Sequence, residues 1–96
     1  MKFQYLGKQK LLRLLKMQLN NPYLGFSDIM YDREENFAKD RIERVVYIND
    51  GIHYTLTNEY SYFAQKTKLF YRVSKLDRTS GYIELENIVL KESEDI

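Results

Sequence analysis

"ERVVYINDGIHYTLT", residues 43 to 57, is the stretch on which the fold turns. Two runs rich in β-branched and aromatic residues flank Asn49-Asp50-Gly51. Asp-Gly favours a two-residue hairpin turn, because both central residues must take positive φ. With Asp50 and Gly51 at the tip, Asn49 is expected opposite Ile52, Tyr47 opposite Tyr54 and Val45 opposite Leu56. One face then carries Val45, Tyr47, Ile52, Tyr54 and Leu56, and the other Val46, Ile48, His53 and Thr55. A three-residue loop would set Tyr47 against His53 and Val45 against Thr55, a less coherent face, so the two-residue register is preferred.

A second hairpin is expected downstream, "KLFYRVSKL" and "YIELENIVL" around "DRTSG". A five-residue loop over 77–81 places Leu76 opposite Tyr82, Val73 opposite Leu85 and Leu69 opposite Val89. Its reverse face would pair Arg72 with Glu86 and Ser74 with Glu84, a polar exterior. Between the hairpins, "TNEYSYFAQKT" suits either a short helix capped by Asn58 or a strand through Tyr60, Tyr62 and Ala64; the helix is preferred. Upstream, "DREENFAKDRIERV" has Asp32 and Glu35 at capping-box spacing, with acids early and bases late, and predicts a short helix from about 33 to 40.

Nearer the N-terminus the period changes. Phe3 and Tyr5 alternate with polar neighbours, a short strand signal ending at Gly7. From Lys8 to Leu19, at 100° per residue, Leu11, Leu12, Leu14, Leu15 and Leu19 fall on an arc of about 160°. Lys10, Arg13 and Lys16 lie opposite. This is an amphipathic helix, and "NNP" at 20–22 ends it, since Pro22 disfavours the α region at Asn21. Tyr23, Leu24 and Phe26 are expected to tuck beneath it. The fold class that follows is α+β. An N-terminal amphipathic helix packs on a small, mainly antiparallel sheet of four to five strands built from two hairpins. One domain spans 1–96, with 91–96 as a frayed acidic tail.

The chain has 96 residues and no cysteine, so disulfides and thiolate chemistry are excluded and a cytoplasmic location is expected. The first dozen residues lack the apolar core of a secretory signal, and no run approaches the roughly 20 apolar residues of a membrane span. The shortage of alanine beside abundant Lys, Ile, Asn and Tyr suggests an AT-rich genome, as in a bacterium or phage. Charge is uneven. Residues 1–19 hold five basic residues and no acid, 20–50 hold seven acids against four bases, and 51–96 hold seven against six. A net charge of +1 argues against strong non-specific nucleic-acid binding.

Nothing spells out catalysis. His53 is the only histidine, and its own strand supplies no ligand or nucleophile at useful spacing. Glu84 and Glu86 are two apart and would share a solvent face. Asp28 and Asp32 lie in no calcium loop, the glycines form no phosphate loop, and no serine sits in a nucleophile elbow. No enzyme, cofactor or metal is expected. The candidate partner-binding residues are Lys10, Arg13 and Lys16, a single-sign helix face, together with Phe70 and Arg72, an aromatic-cation pair beside Lys66 and Lys68. A protein partner is favoured over nucleic acid, with no membrane, and a homo-oligomer through an exposed sheet edge is a third reading.

Overall fold

The computed structural model describes residues 3–94. Helix α1 (Lys8–Leu19) and a single 3-10 turn (Phe26–Asp28) precede five strands, β1 (Ile29–Glu35), β2 (Arg41–Asn49), β3 (Ile52–Ser61), β4 (Lys66–Asp77) and β5 (Gly81–Glu94). Strand order follows chain order and every neighbouring pair is antiparallel. The result is a five-stranded meander with α1 on one face, an α+β fold that is mostly sheet.

The Asp50-Gly51 turn is formed as the sequence leads one to expect. Asp50 and Gly51 take φ of 52° and 75°, the positive values that match a hairpin's right-handed twist. Asn49 faces Ile52, Tyr47 faces Tyr54 and Val45 faces Leu56, and the two tyrosine rings stack at 5.8 Å. Carried across the sheet, this register makes two unlike faces. The helix-bearing face runs Tyr31, Val45, Leu56, Tyr71 and Ile88 in one row. The open face carries Val46, Thr55 and Arg72 in the equivalent row.

Leu11, Leu12 and Leu15 are buried against Val45, Leu56, Tyr71 and Val73, so the leucine arc is core. Helix α1 ends where Asn20 enters the left-handed region at φ 52°. There the Asn20 and Asn21 N–H groups donate to the Met17 and Lys16 carbonyls at 3.2 and 3.0 Å. These two bonds satisfy carbonyls that the helix itself leaves open. Of the segment expected to tuck under α1, only Leu24 is buried; Tyr23 is almost fully exposed, and Phe26 is half-exposed with the Lys8 ammonium 5.3 Å from its ring.

Several elements differ from expectation. The helix predicted over 33–40 is instead strand β1 followed by a turn over 36–40. Asn36 closes that turn, its side-chain oxygen accepting the Asp40 N–H at 3.0 Å, and Lys39 takes φ 64°. Phe37 is fully exposed at the tip. Without an apolar surface for it, helical spacing had nothing to bury, whereas pairing with β2 satisfies the backbone of 29–35. The short helix preferred over 58–67 is absent as well. Strand β3 runs to Ser61, a turn covers 62–65, and β4 begins at Lys66. Asn58 cannot cap a helix there because its side chain is buried and bonded elsewhere. Residues 3–7 form no strand, although Phe3 is buried and packs on Tyr5 and Tyr60 at 5.2 and 5.9 Å.

The second hairpin has the expected tip, with Asp77 opposite Gly81, Leu76 opposite Tyr82 and Ser74 opposite Glu84. Beyond Ser74 the register slips. The 14 residues of β5 lie against the 12 of β4, and the two extra ones, Leu85 and Leu90, form bulges. Val73 therefore faces Glu86, Arg72 faces Asn87, Phe70 faces Val89 and Leu69 faces Lys91. The expected pairs Val73–Leu85, Arg72–Glu86 and Leu69–Val89 do not form. Glu84 and Glu86 are left on opposite faces, so they are not a carboxylate pair. The acidic tail is not frayed over 91–94, which pairs with 66–69 as the end of β5; residues 95 and 96 lie outside the described residues.

Replacing Gly51 by Val should destabilise the protein by about 1 kcal/mol or more, because a β-branched residue resists positive φ. Urea denaturation measures it, and an unchanged midpoint would contradict the turn's role.

Candidate functional site

The most polar element of the core lies beneath the N-terminus of α1. Inward alternation along β2 puts Glu43 on the helix-bearing face, in line with Val45 and Tyr47, where it is fully buried. Its Oε1 accepts the Gly7 N–H and the Tyr31 hydroxyl, each at 2.9 Å. Its Oε2 accepts the Leu6 N–H and, at 2.8 Å, the Asn58 side-chain amide. That amide also donates to the Gln4 carbonyl at 3.2 Å. Gly7 is the N-cap of α1 with φ 88°, and neither a capping side chain nor an acid in the first turn serves this helix locally. Glu43 supplies the missing negative charge from another element.

Arg33 closes the cluster outward, donating from Nε to the Tyr31 hydroxyl at 3.1 Å and lying 4.0 Å over the Tyr5 ring. Burial raises the Tyr31 phenol above its ordinary range; the Arg33 hydrogen bond pulls the other way and Glu43 adds to the rise. Tyr71 is raised by burial first, then by the nearby Glu86 and Tyr54. The cluster is fully occupied with its own hydrogen bonds and holds structure together.

Two further surfaces lie outside this cluster, one on each side of the sheet. Five strands about 4.8 Å apart make a sheet roughly 20 to 24 Å wide, whereas one helix covers about 10 to 12 Å. Helix α1 packs chiefly on β2 and β3. Beside it, over β4 and β5, lies a groove of about 570 Å³. Its apolar floor is Leu6, Leu14 and Leu69, and Lys10 and Lys91 line it as well. Ile83 and Ile88 stand on the same face of β5, 42% and 39% exposed.

Among the described residues no helix covers the opposite face. Strand alternation places Lys66, Lys68, Phe70 and Arg72 along it, with the Lys68 ammonium 4.9 Å from the Phe70 ring. Acids interleave, however. Lys66 pairs with Glu92 at 3.3 Å and Arg44 with Asp32 at 3.1 Å, and Lys68 lies between Glu59 and Glu92 in the ladder. This is a charge-balanced face.

The five candidate partner-binding residues thus divide between two sides of the molecule. Lys10 and Arg13 are exposed and Lys16 half-exposed on α1; Phe70 and Arg72 are half-buried on the open face. None of the three helix cations joins an ion pair among the described residues. Sequence reasoning missed Glu43, for which the signal was its parity with Val45 across "ERV". It also missed Lys91, assigned to a frayed tail. His53 lies on the open face with its ring edge-on to Tyr82 at 5.1 Å. Among the described residues no cluster of three or more histidine, cysteine or acidic side chains could hold a metal, and no helix is long and apolar enough to cross a membrane. The chain matches no family model, and comparison with curated proteins and with solved structures finds no match.

Two outcomes follow. Glu43→Ala should cost at least about 3 kcal/mol, since several buried donors lose a charged acceptor at once. Hydrogen exchange at the Leu6 and Gly7 amides, with urea denaturation, checks it. Because the folded-state values of Tyr31 and Tyr71 are raised, their contribution is complete below about pH 10 and is lost as pH rises above it. Stability followed against pH should therefore bend downward on the alkaline side, and less steeply in Tyr31→Phe and Tyr71→Phe.

Proposed function

We propose that this chain is a small, non-enzymatic accessory protein that binds another protein, receiving an acidic amphipathic helix in the groove beside α1. The observation that carries this reading is the uncovered half of the helix-bearing face. A sheet face that buries apolar residues on β2 and β3 continues, without a covering element, into Leu69, Ile83, Ile88 and the partly buried Leu90. Exposed apolar surface of this kind marks interaction sites, and a helix laid into an apolar groove is a common recognition mode.

Charge selects the occupant. Lys10 and Lys91 line the groove, and Arg13 and Lys16 extend the positive field along the outer side of α1. The one acid facing this region from β5 is Glu86, opposite Val73. An amphipathic helix with glutamates flanking its apolar stripe would meet two lysines and bury leucines against Leu14 and Leu69. A second copy offers no such helix, because the leucines of α1 are already committed to its own core. Nucleic acid would meet few free cations, and affinity for phosphates scales with the number neutralised. The lack of cysteine suits work in a reducing cytoplasm, which is part of the same proposal.

The test uses two labelled helical peptides, identical in a leucine stripe but carrying either glutamates or lysines beside it, with a labelled oligonucleotide as a third probe. The glutamate peptide should bind in fluorescence anisotropy and shift backbone amides of β4, β5 and α1. Lys10→Glu with Lys91→Glu should weaken it about tenfold or more, a change of roughly 1.4 kcal/mol. Preference for the lysine peptide, or tight oligonucleotide binding with a steep salt slope, would overturn the reading. So would concentration-dependent dimers that occlude the groove.

A further inference from the structure

We infer that the open face holds a second, separate site, one that binds a small organic oxyanion such as a phosphate monoester through Arg72. The face is concave between β2 and β5, enclosing a hollow of about 290 Å³, near the lower end of the range for small-molecule pockets. The ladder brings its walls together. Thr55 lies between Val46 and Arg72, and Ser74 between His53 and Glu84.

Three features select an oxyanion. First, Arg72 has its Nε buried with no hydrogen-bond partner among the described residues. A buried guanidinium donor without an acceptor is costly, and an oxyanion supplies what it lacks, bidentately where the fork is free. Second, Glu84 and Asp32 already have partners of their own. Glu84, the one carboxylate in the lining, accepts the Asn87 side-chain amide at 3.0 Å, and Asp32 is held by Arg44. Third, the rest of the lining is rich in hydroxyl and ring donors. Ser74, Thr55 and Tyr82 present hydroxyls, and Arg44 adds a second guanidinium. The His53 and Tyr82 rings, at 69° to one another, give an organic group attached to the anion a surface to pack on.

This site shares no lining residue with the groove beside α1, so each can fail without the other. The probes are inorganic phosphate and phenyl phosphate, titrated at constant ionic strength against chloride. Phenyl phosphate should raise the melting temperature and shift the Arg72 side-chain and His53 ring signals, binding more tightly than inorganic phosphate. Arg72→Gln should weaken binding about tenfold or more, and Arg72→Lys by less. Should Arg72→Gln unfold the sheet, Ser74→Asp, which adds a carboxylate to the hollow, should abolish binding instead. Lys10→Glu with Lys91→Glu should leave the anion affinity unchanged. No response beyond that to chloride would overturn the inference, as would equal affinity in a folded Arg72→Gln or Ser74→Asp protein.

Discussion

One buried carboxylate sets the geometry of this protein. Glu43 sits at the centre of the helix-bearing face and gathers donors from residues 6 and 7, from β1 and from β3. A carboxylate removed from water is costly unless its lone pairs are met by good donors. That cost makes the arrangement specific: only when the chain before α1 lies across β2 and β3 are all four donors delivered. Hydrophobic burial of Leu11, Leu12 and Leu15 would hold α1 on the sheet in several positions, since apolar contact is non-directional. The bonds to Leu6 and Gly7 select one, and they place a negative charge beside the positive end of the helix.

The two unlike sheet faces follow from this placement. Because α1 starts over Glu43 and Asn58, it runs along β2 and β3, covers Tyr71 and Val73 of β4, and leaves the face of β5 largely exposed. The tilt in coverage cannot be corrected within the sheet, because β5 is an edge strand with two bulges and four glutamates. Bulges and charges on an edge discourage pairing with further strands. Growth of the structure at β5 by a sixth strand is thereby disfavoured, while the face of β5 beside α1 stays exposed. On the reverse side Thr55 and Thr57 are buried, with Arg72 and Arg44 as their ladder neighbours.

What was legible in the sequence was whatever local chemistry dictates alone. Asp50-Gly51 specifies its turn by the conformations it tolerates, and the register of β2 and β3 follows residue by residue. The leucine arc specifies α1 by its period. The failures have a common cause. Residues 33–40 and 58–67 are short, their helical and extended patterns overlap, and pairing with a neighbouring strand decided between them. The bulge at Leu85 reverses the sides of residues 86–89 and the bulge at Leu90 restores them, and a sequence read at strict period two has no means to place either. Glu43 was visible as an acid with the parity of a core position, but charge is so seldom fully buried that the reading favours solvent. The groove was legible only in part: Lys10 stood out by its helix face, while Lys91, which lines the same groove, depended on a strand end that looked like a tail.

The clamp also bears on how the groove would work. Leu6 and Asn58 line it, and both are bonded to Glu43. One wall of the groove is therefore made of residues held by charge-assisted hydrogen bonds. The other is the less restrained edge of β5, where side chains are largely exposed. An occupant entering between them meets a wall already fixed and one free to adjust its rotamers. Binding to a preorganised wall avoids part of the ordering cost that association otherwise carries. The adjustable side, where Lys91 and Ser93 line the groove, is where fit to the proposed helix would be decided. On the proposed reading, affinity would depend on the buried carboxylate at a distance, through Leu6 and Asn58, and specificity on the edge strand.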